Sequence, residues 1–175
     1  RIDINASGIN FNGYATAQGR NNGNGGAINL ASAGDINLAG GRFNADYNGT
    51  GRGGNINIST SAGGDLNMSG NSYLYTRNGN TTTGGGSIVA NVAGNIALSD
   101  TANLYAHGNT TDSYGGTVSL TAGGALTMGS TNRIYTYGRT NATNNRITLQ
   151  GNSLSLDGLV SARGNAGGVG GEGGT

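Results

Sequence analysis

Gly115-Gly116-Thr117-Val118-Ser119-Leu120 decides the fold, because two glycines followed by an alternating apolar run recur along the chain. Upstream the arrangement is answered by Gly85-Gly86-Ser87-Ile88, Gly53-Gly54-Asn55-Ile56-Asn57-Ile58 and Gly25-Gly26-Ala27-Ile28-Asn29-Leu30, at intervals of 30, 32 and 28 residues. Downstream, the degenerate Asn145-Arg146-Ile147-Thr148-Leu149 follows after another 30. Residues 1–24 read as an abbreviated copy, and Gly167-Gly168-Val169 opens a further one. The copies run over 1–24, 25–52, 53–84, 85–114, 115–144 and 145–166, with 167–175 as a Gly-rich start or tail.

Each copy holds two more runs. Asp35-Ile36-Asn37-Leu38, Asp65-Leu66-Asn67-Met68, Asn95-Ile96-Ala97-Leu98 and Ala125-Leu126-Thr127-Met128 begin 30 residues apart, and Ser153-Leu154-Ser155-Leu156 supplies the last copy. The third run is Leu74-Tyr75-Thr76-Arg77, Leu104-Tyr105-Ala106-His107 and Ile134-Tyr135-Thr136-Tyr137, with Phe43-Asn44-Ala45-Asp46 as a looser version. Alternation with period two sends Ile, Leu and Met to one face and Asn, Ser, Thr and Asp to the other, the signature of short strands with one buried side. Equivalent positions match in size and polarity from copy to copy, which suits parallel stacking of strand on strand. The expected fold is all-β: a right-handed parallel β-helix (β-solenoid) of about six coils of about 30 residues, with three short strands per coil. Ile28, Ile56, Ile88, Val118 and Ile147 then form one interior column, and Ile36, Leu66, Ile96 and Leu126 another.

Composition agrees. Ile, Leu, Val and Phe together make only 30 of 175 residues, too few for a compact globule of this length. A solenoid needs only about six inward residues per coil, since the coils above and below close the core. Stacked about 4.8 Å apart, six coils give a rod about 30 Å long. Gly and Asn at the corners tolerate positive φ, and the absence of Pro keeps every backbone donor for the ladders. Disorder is disfavoured, because the chain has no Lys, no Pro and one Glu. Collagen and membrane-spanning classes also fall away. A net charge of +1 with scattered Arg offers no field for nucleic acid. The lack of Cys is compatible with an oxidising exterior.

The pattern Gly-Gly-x-Ile-x-Leu, then Ala-Gly-Asp-Ile-x-Leu, then apolar-x-Ala/Thr-x-Gly, resembles the repeat region of filamentous-haemagglutinin-type exoproteins, large bacterial adhesins exported by two-partner secretion. The likeness covers residues 25–144 and, more loosely, both ends. It implies a secreted or cell-surface, extracellular structural and adhesive module that associates with itself end to end or laterally, or with host or surface glycans. No cofactor, no nucleic-acid partner and no membrane insertion is expected from the composition.

Tyr75, Tyr105 and Tyr135 hold one outward position in three successive coils, with Tyr137 nearby. Such an aromatic strip either stacks on sugar rings or another filament, or stabilises strand pairing by ring contact. Four sequons, at Asn48, Asn80, Asn109 and Asn141, fall in equivalent loops and are candidate glycosylation sites, although Asn and Thr also suit turns. Asp35 and Asp65 come together on the surface, but their successors are Asn95 and Ala125. They are therefore read as strand-start turn carboxylates, without metal or lyase chemistry. His107, the single histidine, shares a column with Asp46, Arg77 and Tyr137; that column is expected on a solvated face with an Asp46–Arg77 ion pair. The tail 167–174 lacks the regular Asp of calcium nonapeptides. No nucleophile constellation is present, so the chain is not expected to be an enzyme. The rival classes are a polysaccharide-binding or polysaccharide-degrading β-helix and an ice-binding solenoid. Ice binding fits poorly, because the outward column Asn29, Asn57, Val89, Ser119, Thr148 is mixed. The repeats begin and stop without a polar cap, from which an excerpt of a longer rod or end-to-end stacking is expected.

Overall fold

The computed structural model describes residues 1–20, 23–48, 51–77, 84–108, 114–138 and 145–164. Over these residues the chain is a parallel β-solenoid with three faces, each a six-stranded sheet with one strand from every coil. The first face stacks Ile2–Ala6, Ala27–Ser32, Asn55–Thr60, Ser87–Val92, Thr117–Ala122 and Arg146–Gln150. The second stacks Ile9–Phe11, Ile36–Ala39, Leu66–Ser69, Ile96–Leu98, Ala125–Met128 and Ser153–Leu156. The third stacks Tyr14–Thr16, Arg42–Asn44, Tyr73–Tyr75, Asn103–His107, Arg133–Gly138 and Leu159–Gly164. A feature absent from the three-strand reading is a short parallel pair, Gly19–Arg20 with Tyr47–Asn48, in the first two coils.

Register follows the repeat. Ile2, Ile28, Ile56, Ile88, Val118 and Ile147 are successive partners on the first face. Ile36, Leu66, Ile96 and Leu126 superpose on the second face, between Ile9 and Leu154. Phe43, Leu74, Leu104 and Ile134 do so on the third. A slip by one residue would turn every apolar side chain outward, so burial of these columns holds the register. The core is a shaft in which Ile36, Leu38, Leu74, Ile88, Ile96, Leu104, Leu126 and Ile134 are fully or almost fully buried. Phe11 and Phe43 close its lower part with ring centroids 4.6 Å apart.

Outside the shaft, polar side chains also repeat by coil. The Asn57 amide donates to Asn29 Oδ1 at 2.7 Å, and that of Asn29 to Asp3 Oδ1 at 2.7 Å. On the second face Asn67 donates to Asn37 at 3.0 Å and Asn37 to Asn10 at 2.9 Å. An Asn carries both donor and acceptor, so a column of them satisfies itself along the rod axis.

The glycine doublets have a steric cause. Among the described residues positive φ occurs at corner positions, Gly40, Ala62, Gly63, Gly70 and Asp100, and not at these doublets. The second glycine of each doublet instead donates its N–H across the seam to the end of the third strand: Gly26 to Ala17, Gly54 to Ala45, Gly86 to Thr76 and Gly116 to Ala106, at 2.7–3.1 Å. A Cβ on Gly54, Gly86 or Gly116 would overlap the carbonyl oxygen of the corresponding glycine one coil below.

Gly86→Ala should therefore lower unfolding stability by about 3 kcal/mol, the scale of severe overpacking. Gly63→Ala places its Cβ in open space at a φ of +80° and should cost only about 1 kcal/mol. Denaturant midpoints of the two variants check this, and equal losses would contradict the steric account.

Candidate functional site

On the third face, side chains at every second position project outward and form three adjacent columns. The first column runs Tyr14, Arg42, Tyr73, Asn103, Arg133. The second runs Asn44, Tyr75, Tyr105, Tyr135, Ser161. In the third, His107 pairs with Tyr137 and Tyr137 with Arg163, while Asp46 and Arg77 meet through a hydrogen bond in the coils below.

The expected ladder of Tyr75, Tyr105 and Tyr135 is present, and its rings are half-buried by one another. Tyr75 and Tyr105 lie 5.0 Å apart at 36°, whereas Tyr135 meets Tyr105 edge-on at 6.3 Å. Tyr137 stacks on Tyr135 at 6.0 Å, and Tyr73 lies stacked 6.3 Å from Tyr105. Arg163 donates from Nε to the Tyr135 hydroxyl at 3.2 Å and covers its ring. Burial pushes the Tyr75 and Tyr105 hydroxyls above the ordinary phenol range, so both remain neutral donors at neutral pH.

The column of Asp46, Arg77 and His107, expected on a solvated face with an Asp46–Arg77 ion pair, keeps the Arg77 side chain 41% exposed and the two charges 4.0 Å apart, and departs from that expectation at Asp46. Asp46 is buried. Its Oδ1 accepts the Arg77 backbone N–H at 2.9 Å, and its Oδ2 stands 4.0 Å from the Arg77 guanidinium. Desolvation raises its carboxyl above the usual range, against the backbone hydrogen bond and charge of Arg77. His107 sits edge-on to Tyr75 at 5.6 Å and to Tyr105 at 6.2 Å, with Nδ1 3.3 Å from the Gly108 carbonyl. Burial holds its imidazole below the ordinary range. Aromatic rings of the neighbouring column flank His107, whereas the Arg77 side chain reaches solvent, a difference that the residue types alone do not convey.

Between the columns lies a cleft of about 300 Å³. One wall is Arg42, whose guanidinium carbon lies 5.4 Å from the Tyr14 ring centroid and 5.2 Å from that of Tyr73. The other wall is the Asp46–Arg77 pair, and Asn44 and Tyr75 complete the lining. Tyr14, Arg42 and Tyr73 escaped the sequence reading. Their signal was available: each stands two residues before an outward position of the ladder, hence on the same face of the same strand. A larger hollow of about 510 Å³ follows the glycine doublets, lined by backbone, Asn24, Arg52, Asn55, Ser87 and Thr117, without a cluster of titratable groups.

The remaining candidates are structural or outside the described residues. Asp35 Oδ1 accepts the Asp65 N–H at 2.9 Å, Asp65 Oδ1 the Asn95 N–H at 2.6 Å, and Asn95 Oδ1 the Ala125 N–H at 2.8 Å. The two carboxylates thus belong to a strand-start ladder that Asn continues without change of geometry. Asn48 lies in the short extra strand, whereas Asn80, Asn109 and Asn141 lie outside the described residues. Asp46 is the carboxylate lining the cleft among the described residues. Comparison with family models, curated proteins and solved structures yields no match, so the site is read from its own geometry.

Since the Asp46 value is raised in the folded state, the native chain holds this proton more tightly than the unfolded chain. The resulting stabilisation is complete below the ordinary aspartate value of 3.8 and is lost as pH rises through the raised folded value. Asp46→Asn should match the parent in thermal unfolding near pH ~3 and exceed it at neutral pH. A melting-temperature difference that does not change with pH would contradict this.

Proposed function

We propose that this chain is a non-catalytic structural and adhesive module of a bacterial extracellular fibre or surface adhesin, with the third face as its contact surface. The observation that carries the reading is the asymmetry of the three faces. The first two present mostly small polar residues outward, with Asn side chains bonded to one another and to Asp3 in the first three coils, whereas the third gathers Tyr14, Tyr73, Tyr75, Tyr105, Tyr135 and Tyr137 with Arg42, Arg77 and Arg163. Tyr and Arg are the residues that concentrate binding energy at contact surfaces, because they bring large area at low entropic cost and retain polar tips. A rod built from identical coils needs no such strip for its own closure.

The resemblance of the repeat to filamentous-haemagglutinin-type exoproteins points the same way and supports an extracellular setting. Partners in this reading are surface glycans or neighbouring rods.

Beads coated with the chain should adhere to glycan-bearing cell surfaces above albumin-coated beads. The double variant Tyr105→Ser/Tyr135→Ser should reduce adhesion by about fivefold or more, as expected when central aromatic contacts are lost. Adhesion no better than albumin would remove the adhesive reading.

A further inference from the structure

We propose that the cleft between Tyr14, Arg42, Tyr73 and the Asp46–Arg77 pair is a binding site for a carboxylate-bearing saccharide, a uronic-acid unit within a glycan. The inference deepens the adhesive reading above and rests on it.

Three features of the cleft select this chemistry. First, Arg42 is held between two tyrosine rings, 5.4 Å from one and 5.2 Å from the other. No carboxylate lies in ion-pair contact with it among the described residues. A guanidinium held in cation–π range of two rings and not spent on a carboxylate has N–H donors to offer, and its planar fork can take a carboxylate through two parallel hydrogen bonds.

Second, the rings of Tyr14 and Tyr73 belong to the same wall, and Tyr75 adjoins them. Tyr14 is 76% exposed, so its face is open to a ligand. Aromatic faces beside polar groups suit a ligand that alternates flat C–H surfaces with oxygen substituents, which is the character of a pyranose ring. Asn44 supplies an amide donor and acceptor for hydroxyls.

Third, the charge is unbalanced. Two guanidiniums face one carboxylate. That carboxylate is buried and already accepts the Arg77 backbone N–H. Arg77 stands 4.0 Å from it, too far for a tight pair, and leans over the Tyr75 ring at 5.8 Å. A neutral sugar would leave this positive potential unused, whereas a uronate would complete it. A nucleic acid would also stack on the rings, but the net charge of +1 provides no track for a phosphate chain beyond the cleft.

The test is calorimetric titration of the whole chain, at low salt, with trigalacturonate and with its methyl ester, which has the same shape without the charge. The acid should bind saturably, and the ester at least about tenfold more weakly, the usual margin for losing a charge-assisted contact. Arg42→Gln should weaken the acid by about tenfold and leave the ester unchanged. Asp46→Asn should strengthen the acid, because it removes the one opposing charge, and this second variant keeps the proposal testable if Arg42→Gln does not fold. Equal affinity for acid and ester would overturn the inference. So would indifference to both substitutions, tighter binding of a thymidine hexanucleotide, or no binding of the acid at all. If coated beads adhere while the acid does not bind, this inference falls and the adhesive reading stands; if neither occurs, both fall.

Discussion

Vertical superposition of like residues is the interaction on which the rest of the molecule depends. Each coil is too thin to exclude water from its own apolar residues. Ile88 is buried only because Ile56 lies beneath it and Val118 above it. The parallel ladder fixes that spacing, and the apolar shaft fixes the register, so hydrogen bonding and burial constrain the same coordinate. A repeat protein of this kind has nearest-neighbour stability: each coil is held by two interfaces, and no long-range core links the ends.

The seam between the third and first strands is the second constraint. There the chain must turn within a coil while rising to the next, and its backbone groups must still find partners. The doublet glycines meet this by donating to the small-residue column at the end of the third strand and by presenting no Cβ to the coil below. Elsewhere side chains take over the same duty. Buried Asn132 donates to the carbonyls of Ser99, Asp100 and Ala102 at 3.1–3.2 Å. The Ser72 hydroxyl likewise accepts the Gly40 N–H at 2.9 Å and has the carbonyls of Leu38 and Ser69 within reach of its single O–H.

Repetition also sets what the surface can do. A polar residue repeated each coil becomes a self-satisfied column, as with Asn29 and Asn57, and offers little to a partner. The third face breaks the repetition. Arg42 below Tyr73, Asp46 below Arg77 and His107 below Tyr137 are unlike pairs, and unlike pairs create the charge and shape differences from which a cleft arises. Function in a solenoid is thus expected where equivalent positions disagree, provided they disagree on the same face.

Much of this was legible in the chain. The period, the alternation and the three runs per copy give the coil, its inward columns and the lateral neighbours of Tyr105, because both periodicities are properties of a linear pattern. The strand-start role of Asp35 and Asp65 was also readable from their replacement by Asn95 and Ala125. Proximity between columns was not. That Asp46 is buried, that His107 stands edge-on to two rings, and that Arg42 sits between Tyr14 and Tyr73 follow from how side chains lean across one face. The reason for the glycine doublets likewise lies in the distance between coils, which no single copy contains. Sequence alone therefore determined the periodic order along the rod, since it is written as repetition; tertiary structure decided burial, charge and cleft shape, since these arise between residues that repetition places side by side without specifying their contact.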